Sequence, residues 1–159
     1  MYILFFILLM LKTVAQEPRQ YSFSHYTTSS GLLSNQVFSS VQDEDEYIWI
    51  AGTDGLQRFD GVRYKSFRHK ENDIHSLPSS TIMQLMLDKK KRLWLLMFDG
   101  TAGIFDKKKF KFSKTEVTPK KSNSVNTPVK RLITDEEGNI FYLLQGNELL
   151  TWNEKRNEF

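Results

Sequence analysis

The residues of this 159-residue chain whose types suggest chemistry are mostly carboxylates in short runs: Asp43-Glu44-Asp45-Glu46, Asp88, and Asp135-Glu136-Glu137. Two carboxylates held about 5–10 Å apart in a cleft can cleave a glycosidic bond as acid and base. Here each run stands just ahead of a short apolar segment, at the place of a hairpin turn. His25, His69 and His75 show no His-x-x-x-His spacing, and the chain has no cysteine. No metal-ligating or nucleophilic constellation therefore follows. Gly52-Thr53-Asp54-Gly55 joins two apolar runs and opens no helix, so it cannot cradle a phosphate. No catalytic residue, no metal and no cofactor is expected.

The segments that carry these residues repeat. Tyr47-Ile48-Trp49-Ile50-Ala51 is a β-rich run, followed by the turn residues Gly52 to Gly55, by Leu56 to Phe59, and by the second turn Asp60-Gly61. Weaker copies follow at Leu93-Trp94-Leu95-Leu96 and Ile140-Phe141-Tyr142-Leu143. The aromatics Trp49, Trp94 and Phe141 are 45 and 47 residues apart. An acid precedes each by six positions (Asp43, Asp88, Asp135), and the second turn recurs at Asp60, Asp106 and Asn153. Three markers on one period in the forties are the signature of a β-propeller blade of four short antiparallel strands. The chain reads as all-β, a partial propeller of about three blades near 34–67, 77–113 and 127–159. Closed propellers use roughly four to eight.

Two stretches stand outside the blades. Ile3 to Leu11 is an apolar run too short to span a bilayer as a helix. With Thr13-Val14-Ala15 after it, the run reads as a signal peptide over residues 1–15, cleaved before Gln16. The partial propeller would occupy 16–159, outside the cytoplasm. Without Lys12 the net charge falls from +3 to +2, too balanced to suggest nucleic acid. Tyr21, Phe23 and His25 alternate with Ser22, Ser24 and Tyr26, as Lys65, Phe67 and His69 do after the first blade core. Phe23 precedes Leu33 by ten residues, and Phe67 precedes Leu77 by ten. Tyr21–Tyr26 thus reads as an N-terminal closing strand, the last strand of a blade whose first three lie elsewhere.

Antiparallel order puts the first-to-second and third-to-fourth turns of every blade at one end. The second-to-third turns and the connections between blades share the other. At the latter, Asn35, Asp54, Ser79 and Asp99, with neighbours Ser34, Thr53, Ser80 and Gly100, are candidate ligand-binding residues. At the opposite end Lys89–Arg92 and Lys107–Lys109 meet, either as a site for an acidic partner or as solvated turns. The Trp and Phe residues read as core between blades. Phe141, Tyr142 and Trp152 are expected on a face that no following blade covers.

The motifs Gly31-Leu32-Leu33-Ser34-Asn35, Val41-Gln42-Asp43, Ile48 to Leu56, Arg58-Phe59-Asp60-Gly61 and Glu71 to Ser80 resemble the two-component-regulator propeller repeat. This repeat builds the periplasmic sensor region of hybrid two-component systems in glycan-foraging Gram-negative bacteria. The resemblance covers about Tyr21 to Phe159 and loosens in the third blade, where Phe141 replaces Trp. It implies the N-terminal fragment of a ligand-sensing propeller, non-catalytic and directed to an oligosaccharide. The remaining blades and signalling domains of the sensor would be its partners, with membrane anchoring and homodimerisation belonging to the full-length protein. Kinase activity would lie in a region absent from this chain, where no kinase box, receiver pocket or helix-turn-helix occurs. The alternative is a fragment of a propeller-type carbohydrate-active enzyme. Asp135 to Phe141 is similar to the sialidase Asp-box, with the acid six residues from the aromatic where that motif has five.

If residues 1–15 are a signal peptide, the exported protein starts at Gln16. N-terminal sequencing of the secreted material checks this; a soluble cytoplasmic protein retaining Met1 contradicts it.

Overall fold

The computed structural model describes residues 20–115, 128–153 and 155–156. The expected signal peptide lies outside them. The first blade consists of β1 (Val37–Gln42), β2 (Ile48–Gly52), β3 (Gly55–Phe59) and β4 (Tyr64–Phe67). The second consists of β5 (Ile82–Leu87), β6 (Leu93–Met97), β7 (Ala102–Asp106) and β8 (Lys111–Lys114). The third has β9 (Val129–Thr134), β10 (Ile140–Leu144) and β11 (Leu149–Thr151). Each sheet is antiparallel with strands in chain order, so the protein is an all-β partial propeller of three blades. Connections this tight demand particular backbones. Gly55 turns from β2 into β3 at φ +125°, where a Cβ would sit 2.3 Å from the Phe67 carbonyl oxygen.

The first strand of every blade carries the same defect. Register slips by one residue between Val37 and Ser39, between Ile82 and Gln84, and opposite Leu143–Leu144, leaving Phe38, Met83 and Lys130 as the extra residues. Such bulges bend a strand and re-aim the side chain that follows. Here those side chains reach the next blade. Ser39 Oγ accepts the Leu85 amide at 3.0 Å. The Gln84 amide group both donates to the Leu132 carbonyl and accepts from the Leu132 amide, each at 2.9 Å. The first strands are thereby laced together by polar bonds, while the apolar filling lies further out.

That filling is aromatic and sits between blades, as the sequence implies. Trp49 is fully buried, stacked on Phe67 of its own blade at 6.0 Å and edge-on to Phe105 of the second at 5.7 Å. Trp94 is equally buried, edge-on to Tyr142 at 6.1 Å and Trp152 at 5.0 Å, both in the third blade. Tyr142 and Trp152 therefore face back toward the second blade, against the expectation that they are uncovered. The reason is strand alternation: Ile140, Tyr142 and Leu144 are buried on one face of β10, while Phe141 and Leu143 on the other are only half-buried. The Tyr142 hydroxyl shares a 2.5 Å hydrogen bond with Thr115 Oγ1, and burial pushes its phenol far above the ordinary range.

The repeated acids explain the repeated tryptophans. Asp43 is buried, its Oδ1 accepting the amides of Asp45 and Tyr47 and its Oδ2 the Trp49 indole N–H at 2.7 Å. Asp88 does the same with the amides of Lys90 and Arg92 and with the Trp94 indole at 2.9 Å, and also receives Arg92 Nε at 2.5 Å. One carboxylate thus closes the hairpin and fixes the ring in the core. In the third blade Phe141 has no N–H to offer. Asp135 stays exposed and spends its second oxygen on the Asn139 side chain at 2.7 Å.

Among the described residues Tyr21–Tyr26 forms no strand, as fits a closing strand whose first three partners lie elsewhere, since a strand exists only with a partner.

Asp88→Ala strands two amides, an indole N–H and a guanidinium and should cost about 3 kcal/mol or more. Asp135→Ala, at an exposed turn, should cost distinctly less. Denaturant unfolding followed by tryptophan fluorescence measures both; equal losses would contradict the clamp.

Candidate functional site

The two ends of the blades are built differently. At the end holding the second-to-third turns, the turns of the first two blades pack on the segments entering their own blade and the next. Thr53 Oγ1 donates to Ser34 Oγ at 2.8 Å, and the Thr53 carbonyl accepts Thr81 Oγ1 at 3.3 Å. The Thr81 carbonyl in turn accepts the Phe98 amide at 3.0 Å. One blade on, the Gly100 carbonyl accepts the Val129 amide at 3.2 Å, and a Cβ on Gly100 would lie 2.4 Å from Pro128 Cβ. A continuous polar seam crosses three blades here. It uses up Ser34, Thr53 and Gly100 as structural residues.

The candidate side chains stand along that seam. Asn35 is exposed and accepts the Thr28 amide at 2.9 Å through Oδ1, capping the short 3-10 turn Thr28–Ser30. Asp54 is exposed, and among the described residues only its backbone carbonyl is engaged, by Arg68 Nε at 3.3 Å. Ser79 is half-buried and accepts the Thr81 amide at 3.2 Å. Ser80 accepts the His69 amide at 3.5 Å. Asp99 is exposed and braces its own turn by accepting the Thr101 amide at 2.9 Å. Counting from the paired cores, Asp54 and Asp99 hold the same turn position on adjacent blades, so the two carboxylates lie at the same end of the blades.

Sequence reasoning missed Phe98. Assigned with the other aromatics to the core, it is 75 % exposed, its amide tied down by Thr81. The signal was its place in the repeat: Phe98 corresponds to Thr53, a turn residue, and not to any inward strand position. An exposed ring on a pinned backbone, at the blade end that also carries Asp54, Asp99 and Asn35, can offer an apolar platform.

The opposite end is neutralised. Lys107 Nζ sits 2.7 Å from Glu44 and 3.6 Å from Asp43 of the preceding blade. Lys89 donates to Asn139 Oδ1 at 2.7 Å, and its amide bonds the Gly138 carbonyl at 2.9 Å. These lysines act as rivets between blades, leaving less of a basic surface than the sequence suggests. A cleft of ≈ 360 Å³ between the second and third blades opens at this end, lined by Asp88, Lys89, Arg92, Asn139 and Trp152. The histidines play no joint part: His69 Nδ1 bonds the Leu77 carbonyl at 2.7 Å, and His25 and His75 are exposed.

This architecture is that of known sensor domains. No family model matches the chain. The extracellular domain assigned to a hybrid two-component system of B. thetaiotaomicron superposes with a TM-score of 0.66 at 20 % identity, over 87 % of this chain and 19 % of that one. Histidine kinase P4 of Formosa agariphila is 29 % identical over 75 residues, which are 47 % of this chain and 5 % of the kinase. Virginiamycin B lyase of Staphylococcus aureus shares the fold more loosely, with a TM-score of 0.52 at 12 % identity over 76 % of this chain and 39 % of the lyase. The chain thus has the bladed fold of two-component sensor regions, in agreement with its repeat motifs. It spans only a small part of the length of these sensor relatives.

The Lys107–Glu44 pair yields a pH signature. Lys107 holds the Glu44 carboxyl below its ordinary value of 4.5, chiefly by hydrogen bonding. Its stabilisation is present above that value and is lost as pH falls through the lower folded-state value. Lys107→Met should lower the melting temperature slightly at pH 7, and the gap to the parent protein should narrow below pH 4.5. Melting curves across pH check this; a gap that widens in acid contradicts it.

Proposed function

We propose that this chain is part of the extracytoplasmic ligand-sensing propeller of a hybrid two-component sensor and takes no part in catalysis. Its ligand is an oligosaccharide. The observation that carries this reading is the face bearing Phe98, Asp54, Asp99, Asn35 and Ser79. A pyranose presents an apolar face to a ring and a rim of hydroxyls to carboxylates and amides, and this face offers both. Phe98 supplies the stacking surface, Asp54 and Asp99 accept hydroxyl hydrogens, and Asn35 and Ser79 border them. The expected export and cleavage before Gln16 would place this face outside the cytoplasm, where degraded polysaccharide is met. The rest of the sensor, including further blades and the kinase, would receive the signal.

The commitments of the other acids support a binding role over the enzyme alternative. Asp43 and Asp88 are bound to indole and backbone N–H groups. Asp60, Asp106 and Asp135 are held below the ordinary carboxylate range chiefly by hydrogen bonds that cap their own turns. Carboxylates so engaged are poor proton donors and poor nucleophiles.

An array of neutral and acidic oligosaccharides, followed by calorimetry, tests the proposal on the full chain. Phe98→Ala and Asp99→Ala should each weaken binding about tenfold or more, which is roughly 1.4 kcal/mol, with unchanged melting for Phe98→Ala. Absence of glycan binding by the parent protein, or undiminished binding by both variants, would overturn it.

A further inference from the structure

Of the lysines on the turn from β7 to β8, Lys107 is bound to Glu44, whereas Lys109 lines a cavity. This cavity of ≈ 280 Å³ lies at the outer edge of the first two blades, where β4 and β8 are the last strands of their sheets. The connection leaving β4 forms one wall with Arg68, Lys70 and His75, and the residues entering β8 form the other with Lys109 and Lys111. All five residues are exposed, and among the described residues no carboxylate pairs with any of them. Asp73 is the acid on the lining, and its Oδ1 accepts the His75 amide at 3.0 Å.

The walls are held by bonds that need no ligand. The loop from Lys70 to Ser76 is closed on itself: Ser76 Oγ accepts the Lys70 amide at 3.0 Å and donates to the Lys70 carbonyl at 3.1 Å. It is also tied to the second blade, because the His75 carbonyl accepts the Phe112 amide at 2.9 Å. On the opposite wall Phe110 holds a left-handed φ of 57°, which a bulky residue seldom adopts unless its surroundings fix it. Its ring stacks on Phe67 at 5.1 Å, with Lys65 Nζ 3.7 Å from its centroid. The rings of Phe67 and Phe110, with the buried Leu77, give the cavity an apolar lining beside its cations.

A cleft with charges of one sign on low-dielectric walls focuses their field and draws counter-ions into it. A peptide cannot add here as a strand, since the Phe112 edge amide is already taken by His75. Ile74 is the one apolar residue of the loop from Lys70 to Ser76, too little to seat it in a bilayer. We propose that the cavity binds an acidic saccharide through its sulfate or carboxylate group, with Lys70, Lys109 and Lys111 as the cations and Phe67 and Phe110 bordering its C–H groups. The site shares no residue with the Phe98 face, whose Asp54 and Asp99 would repel the same group. It stands whether or not that face binds.

Calorimetry on the full chain carrying Phe98→Ala reads this site apart from that face. A sulfated galactan oligosaccharide or a galacturonate oligomer should bind, more weakly as sodium chloride is added, and the desulfated galactan should not. Adding Lys70→Glu or Lys109→Glu should weaken binding about tenfold or more, with unchanged circular dichroism. Lys114→Glu, the same charge change at an exposed β8 residue outside the cavity, should leave it nearly unchanged. Equal losses from Lys114→Glu, binding of inorganic sulfate alone, or preference for phosphatidylglycerol vesicles or polyglutamate over both glycans would overturn the site. A parent chain that binds these glycans and a Phe98→Ala chain that does not would also overturn it, while leaving the Phe98 reading intact.

Discussion

The structure depends on a buried carboxylate that receives an indole N–H. Asp43 and Asp88 are nearly inaccessible, and a charge taken out of water is tolerable only when fully hydrogen-bonded. Each meets that condition with two amides of its own turn and one tryptophan. The bond fixes the turn and the ring together. The ring can then project into the gap between blades with its polar atom satisfied, and packing across that gap follows from it. Where the tryptophan is replaced by Phe141, the acid moves outward, and the blade is more open on its outer face.

Neighbouring blades are joined at three levels, each by a different kind of bond. Near the first strands, bulges aim Ser39 and Gln84 at backbone groups of the next sheet. In the middle, aromatic rings interlock. At the turn end, Lys107 and Lys89 bridge to Glu44 and Asn139. The polar bonds set blade angle and register, while the apolar middle supplies most of the free energy. Such nearest-neighbour construction makes each blade's stability a matter of what lies beside it.

On the proposed reading, this division also separates structure from recognition. The charged turn end is occupied by bonds between blades. At the other end the joints are made by backbone carbonyls and small hydroxyls, which leaves Asp54, Phe98 and Asp99 facing solvent on rigid turns.

The repeat, the strand order and the inward tryptophans were legible in the sequence, because a blade is a local structure. Its strands are neighbours in the chain, its turns need glycine, aspartate or asparagine, and its period is set by four short strands. Almost every strand lies within a residue of where alternation and turn residues put it. What only the tertiary structure decided concerns relations between blades. The face that Tyr142 and Trp152 take depends on which side of β10 meets the second blade. The fate of Lys107 depends on an acid 63 positions earlier in the chain. Whether Tyr21–Tyr26 becomes a strand depends on an edge that its own blade does not provide. Phe98 shows the limit best: by composition it belongs to the core, and only its place on a turn pinned by Thr81 put it in water. Local pattern determines an element, but contacts distant in sequence determine what that element faces, since burial belongs to the assembled sheets and to no single segment.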